Sequence, residues 1–208
     1  MNLTFTVYHT CHLKGSLNDI FSNSPYKCDP NTQQWLGDGY YFWTDSEYFA
    51  HKWGMIKSKY PNGYVITKYL VDIPEESFLD LVGNVRDQIF FAKQILEYAK
   101  RMGYELDNSE DARKIALSKV LDHLRKYSQN NNFPIKYDAI RAFDYQSVHT
   151  KLYKYTEDSK EQIPIPTRQQ LFLKDFSFLK RKELFCANKL NGRNYHTVNS
   201  TKIYTYEY

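Results

Sequence analysis

Glycine and proline are scarce, at 8 and 7 of 208 residues. That is too few for a collagen-like chain or a Pro/Gly-rich disordered one. The three cysteines, Cys11, Cys28 and Cys186, are odd in number and widely spaced. With no Cys-x-x-Cys pair, neither a disulfide framework nor a zinc site is expected, and His9 and His12 beside these cysteines have the wrong spacing for one. A reducing, cytoplasmic location fits. No run of eighteen apolar residues exists, so no helix is expected to cross a membrane. Met1 to Val7 lacks the charged start, apolar stretch and cleavage site of a secretory signal. There is no Gly-x-Ser-x-Gly elbow and no Walker loop. Neither sign of charge dominates: 28 Lys and Arg stand against 24 Asp and Glu, for a net charge of +4. Such a balance permits an anionic ligand or nucleic acid without demanding one.

What is abundant is the aromatic ring. Phe, Trp and Tyr make up 17% of the chain, with 19 tyrosines. Tyrosine is the ring that accepts one wet end, so many rings are expected at half-polar positions. The length suits one domain, with or without an insertion, and can bury a core of its own.

The pattern of residues predicts the elements. Leu3 to His9 alternates and is rich in β-formers, as are Tyr40 to Thr44 and Tyr64 to Ile73. A short helix is expected within the polar stretch from Thr10 to Asp38. Asp45 or Ser46 can cap a helix reaching about Lys59, with Phe49, Trp53 and Ile56 on one face. Residues 87–102 and 109–127 carry apolar side chains at helical spacing. This helical pair, about 84–130, reads as an insertion between sheet strands. Strands are expected again at 137–143, 151–155 and 170–174, and the closing TKIYTYEY alternates like a last strand. Strands at both ends and helices in the middle give an α+β class.

Two local features carry chemistry. Residues 36–44 read LGDGYYFWT. Glycines at 37 and 39 allow an unusual backbone path and a close ligand approach, or simply a turn into a core strand. The third glycine of a dinucleotide fingerprint is missing, and the segment enters a strand rather than a helix. The second feature is Tyr8-His9-Thr10 at the end of the first strand. Together they resemble the ADP-ribosyltransferases of the His-Tyr-Glu class, which includes diphtheria-type toxins, poly-ADP-ribose polymerases and small bacterial relatives. Tyr8-His9-Thr10 is similar to their Tyr-His-Gly-Ser/Thr, and residues 37–44 to their Gly-x-Gly-x-Tyr-Phe-x-Thr/Ala segment. The likeness covers about seventy residues well and leaves the middle of the chain uncovered.

The resemblance implies a split mixed β-sheet that binds NAD as co-substrate. His9 takes the place of the histidine that bonds the adenosine ribose. Thr10 matches a position whose backbone holds the nicotinamide amide. Tyr41, beside Tyr40, matches the ring that stacks on nicotinamide. Trp53 or Tyr48 offers a second stacking ring, although Trp53 reads equally well as a core side chain beside Phe49 and Ile56. Gln170 falls where the family has its glutamate. Glutamine can bond a ribose hydroxyl but brings no negative charge to an oxocarbenium-like transition state. That departure argues for single transfer over polymer elongation, and it leaves open a catalytic acid at Glu157, Asp158 or Glu161. Lys14, Lys52, Arg141 and Arg168 are candidate contacts for a diphosphate or an acceptor.

The activity so implied is that of a mono-ADP-ribosyltransferase with a macromolecular acceptor. The basic balance and the Lys180-Arg181-Lys182 run lean towards nucleic acid, RNA included, over a protein side chain. A solvated helix end is the plainer reading of that run. Small size suits a toxin of a toxin–antitoxin or phage-defence module, with an antitoxin protein as partner. The competing reading is a non-catalytic module that binds NAD or ADP-ribose on the same fold.

Overall fold

The structure, a computed structural model, describes residues 1–29, 34–104, 115–130, 137–144, 151–154, 156–158, 160, 162–191 and 194–200. The protein is α+β. Eight strands form one mixed, mostly antiparallel sheet in the order β10-β9-β3-β1-β2-β8-β5-β4. They are β1 (Asn2–His12), β2 (Tyr40–Thr44), β3 (Gly63–Pro74), β4 (Phe78–Asp80), β5 (Ala139–Phe143), β8 (Gln169–Leu173), β9 (Leu179–Asn191) and β10 (Asn194–Ser200). A separate two-stranded ribbon joins β6 (Lys151–Lys154) to β7 (Gln162–Ile165). The helices are α1 (Leu17–Asn23), α2 (Tyr48–Gly54), α3 (Val85–Met102) and α4 (Leu117–Asn130). No helix among the described residues is long and apolar enough to cross a membrane.

β1 and β3 form the spine, paired without interruption from Asn2↔Pro74 to His12↔Tyr64. Their shared ladder is longer than either alternating segment suggests, because pairing continues through the polar ends. The β1–β2 junction is the opposite case. Only Val7↔Thr44 and Tyr8↔Trp43 pair there, against four pairs between β2 and β8. One hydrogen-bonded sheet stands where a split one is expected, and this short junction is its narrowest seam.

Alternation along the strands separates two faces. On one, Val7, Phe42, Tyr69, Val71, Leu171 and Leu173 are packed together, and α1 covers Cys11, Val65 and Ala187 with Ile20. On the other, α2 sits over Tyr8, Trp43, Tyr64 and Ile66. Beside it, α3 and α4 bury Phe91, Val120 and Leu121 against Leu79, Ile140 and Phe172. Helices α3 and α4 thus fall between the parallel strands β4 and β5 in the chain and supply side chains to one core layer.

Local chemistry sets the helix ends. Ser16 caps α1 by accepting from Asp19 N–H. Asn84 caps α3 in the same way, and Gly103 closes it in a left-handed conformation. The second expected helix is shorter than its spacing suggests: α2 begins at Tyr48, after Asp45 at φ 64°, and ends at Gly54. A Cβ on Gly54 would lie 2.4 Å from the Tyr64 ring. Lys180 to Lys182 belong to β9 rather than to a helix end. Lys182 Nζ donates to the Ser22 and Ser24 carbonyls, and Arg181 pairs with Glu183. The start of the second middle helix and the closing strand at 201–208 lie outside the described residues.

Candidate functional site

The narrow β1–β2 seam holds His9. The residue is 7% exposed and both ring nitrogens are engaged. Nδ1–H donates to the Tyr41 carbonyl at 3.1 Å, and Nε2 accepts from Tyr26 N–H at 3.1 Å. Only the neutral Nδ1–H tautomer satisfies both bonds. Burial pushes the imidazole pKa down to about 4, opposed in part by the Tyr41 carbonyl.

Tyr41 and Gln170 stand on the other face. Tyr41 pairs with Phe172, and Trp43 with Gln170, across β2 and β8. His9 instead faces Phe42, with ring centroids 5.7 Å apart. The rings of His9 and Tyr41 therefore lie on opposite sides of the sheet, joined by the Tyr41 carbonyl. The Tyr41 hydroxyl accepts from Leu36 N–H at 3.0 Å and donates to the Gly37 carbonyl at 2.8 Å. Burial raises its pKa to about 12. Gln170 is 8% exposed, and its Oε1 accepts from Trp35 Nε1–H at 3.1 Å.

One segment thus engages all three motif residues. The connection from α1 to β2 supplies Tyr26 to His9, Leu36 and Gly37 to Tyr41, and Trp35 to Gln170. Its two glycines serve the fold. Gly37 has φ 112°, and a Cβ there would meet the Arg125 guanidinium at 2.9 Å. A Cβ on Gly39 would lie 2.5 Å from the Leu173 carbonyl and the Phe172 ring. The close approach expected of a ligand at these glycines is made by β8 and α4.

The remaining expected residues are spread around this centre. Thr10 spends its hydroxyl on the Ala50 carbonyl of α2, at 2.9 Å. Tyr40 faces away from Tyr41 and packs on Phe176, centroids 4.4 Å apart. Tyr48 packs edge-on against Phe49, with Lys52 Nζ 5.4 Å from its ring. Trp53 meets Trp43 at 5.8 Å, whereas the Tyr41 ring meets Phe172 at 5.4 Å. Arg141 holds Asp80 through two bonds of 3.0 and 2.6 Å and is committed to the fold. Lys14 is exposed. Glu157 and Asp158 occupy the exposed tip of the β6–β7 ribbon, about 13 Å of strand from Pro166. Glu161 lies outside the described residues.

Sequence reasoning missed the pocket between α2 and the start of β8. Arg168, 3% exposed, pairs with Asp144 at 2.6 Å. Its guanidinium lies 5.1 Å from the Trp43 ring and 5.5 Å from the Trp53 ring. Burial lowers the Arg168 pKa, and Asp144 opposes that shift. Lys59 Nζ sits 3.6 Å over Trp53. All three tryptophans converge here, since Trp35 bonds Gln170, which faces Trp43. Arg168 was legible as a cation, but its place between two indoles depends on pairing across more than a hundred residues.

Comparison with known proteins gave no match to any family model, and none to a curated protein or a solved structure.

Proposed function

We propose that the chain is an NAD-dependent mono-ADP-ribosyltransferase with a macromolecular acceptor. One observation carries this reading. His9, Tyr41 and Gln170 stand on three consecutive strands, β1, β2 and β8, and His9 is tied to Tyr41 at the narrow seam. Tyr41 and Gln170 share the face that bears the tryptophan and arginine cleft.

In this reading nicotinamide stacks on Tyr41, and Gln170 bonds the nicotinamide-side ribose. His9, on the opposite side of the sheet, acts through its bond to the Tyr41 carbonyl and holds β2 in place rather than touching the adenosine ribose. The C–N glycosidic bond breaks and nicotinamide leaves with the electron pair. The acceptor nucleophile then forms the new bond to the ribose carbon and loses its proton. Without a carboxylate at position 170, the cation is stabilised less than in a glutamate enzyme, which favours one transfer over chain growth.

Incubation with NAD labelled in the adenylate, together with a cell lysate, tests this. Label on RNA, DNA or protein is the expected result and identifies the acceptor. NAD that binds but is neither cleaved nor transferred would leave the non-catalytic binding module. That second reading is favoured by Gln170, which can bond a ribose hydroxyl but brings no negative charge to the cation.

A further inference from the structure

The pocket between α2 and the start of β8 has no role in NAD cleavage as proposed above. It is lined by Trp43, Phe49, Lys52, Trp53, Ile56 and Arg168, and is half open. Phe49, Trp43 and Arg168 form its buried floor. Trp53 and Ile56 are half-buried, and Lys52 and Lys59 are exposed at its rim. The pocket is built as well as charged, because Asp144 fixes the guanidinium beside the two indoles.

Cations outnumber anions on this rim, where Asp144 is engaged by Arg168 and Lys68 by Glu183. Residues 48–71 contain no Asp or Glu, while Lys52, Lys57, Lys59 and Lys68 fall among them. Burial lowers the Lys59 pKa and the nearby Arg168 lowers it further, with Cys28 opposing. An anion at the rim would relieve that repulsion. A flat ring that displaced Lys59 would find the Trp53 indole, and every nucleobase has a π-face to offer. An acidic peptide would satisfy the lysines but leave the indoles without a stacking partner.

We infer that the rim of this pocket binds single-stranded RNA, with one base taking the place of Lys59 on the Trp53 face and its flanking phosphates on Lys52 and Lys59. Arg168 lies two residues before Gln170, about 7 Å along an extended chain. RNA seated here thus runs past the residue that would hold the reacting ribose. The inference rests on the transferase reading for its meaning as an acceptor site. Its binding step stands without NAD.

Fluorescence anisotropy with a labelled single-stranded RNA of about twelve nucleotides tests it in the absence of NAD. The wild-type protein is expected to bind, with affinity falling as salt rises. The double variant Lys52→Ala/Lys59→Ala, two exposed positions, should bind more weakly and flatten the log–log salt slope by roughly 0.7 per lost phosphate contact. Trp53→Ala should weaken binding by about fivefold or more. Four results would overturn the proposal. These are no RNA binding by the wild type, equal binding and salt slope in the double variant, stronger binding of polyglutamate than of RNA, or displacement of the RNA by NAD alone. The last would make the pocket the NAD site. Failure of the labelled-NAD assay with RNA binding intact would remove the transferase reading and leave this site standing.

Discussion

His9 shows how one buried residue can report on the fold through pH. Its pKa falls from 6.5 in the open chain to about 4 in the folded protein. Between those values the unfolded state holds the extra proton. Its contribution is therefore complete above about pH 6.5 and is lost as pH falls towards 4, a swing of about 3 kcal/mol. Urea midpoints measured from pH 7 to 4 should fall more steeply in the wild type than in His9→Gln, and parallel curves would contradict this. Tyr41→Phe deletes the hydroxyl that bridges Leu36 N–H and the Gly37 carbonyl. It should cost about 1–3 kcal/mol of unfolding free energy in urea, while keeping the ring that the functional reading needs. The sequence marked His9, Tyr41 and Gln170 by their neighbours along the chain. It could not show Tyr26, Leu36 or Trp35 as their partners. Those contacts depend on how the α1–β2 connection folds back over the sheet.

At the scale of elements, the two glycines of LGDGYYFWT are required by packing. Gly39→Ala forces a methyl group against the Leu173 carbonyl and the Phe172 ring. Overpacking of this kind costs about 1–3 kcal/mol, read as a lower melting temperature. An unchanged melting temperature would show that β2 and β8 can separate to admit the methyl group. Strands β2 and β3 and helix α3 were legible because alternation and helical spacing are local signals. Strand β9 was not, since its exposed lysines and glutamate hide the alternation, and its length is set by pairing with β3 from Gly63↔Lys189 to Val71↔Leu179. The helical middle was legible as helix but not as a crossover. The parallel pairing of three-residue β4 with β5 leaves no sequence mark. Asp144, at the end of β5, holds Arg168 in the cleft. Asp144→Asn should destabilise the protein by about 3 kcal/mol, because a guanidinium 3% exposed loses its charged partner.

Across the whole molecule, the sheet divides two kinds of environment. The face under α1 is apolar core and holds His9. The opposite face carries two helical layers, and beside α2 lies the pocket lined by Trp43, Trp53 and Arg168. The aromatic excess is largely architecture, as in Phe42, Tyr64, Tyr69 and Phe172, all almost fully buried. The rings to which the two proposals give a role are Tyr41 and Trp53. The central claim is that the face bearing Tyr41 and Gln170 cleaves NAD. Nicotinamide release, followed chromatographically with wild-type protein, Tyr41→Ala and Gln170→Glu in the presence of lysate, tests it most directly. Circular dichroism on each variant checks that the fold survives. The account predicts release by the wild type, loss in a folded Tyr41→Ala, and equal or faster release in Gln170→Glu, whose carboxylate would face the developing cation. No nicotinamide from the wild type or from Gln170→Glu would contradict it.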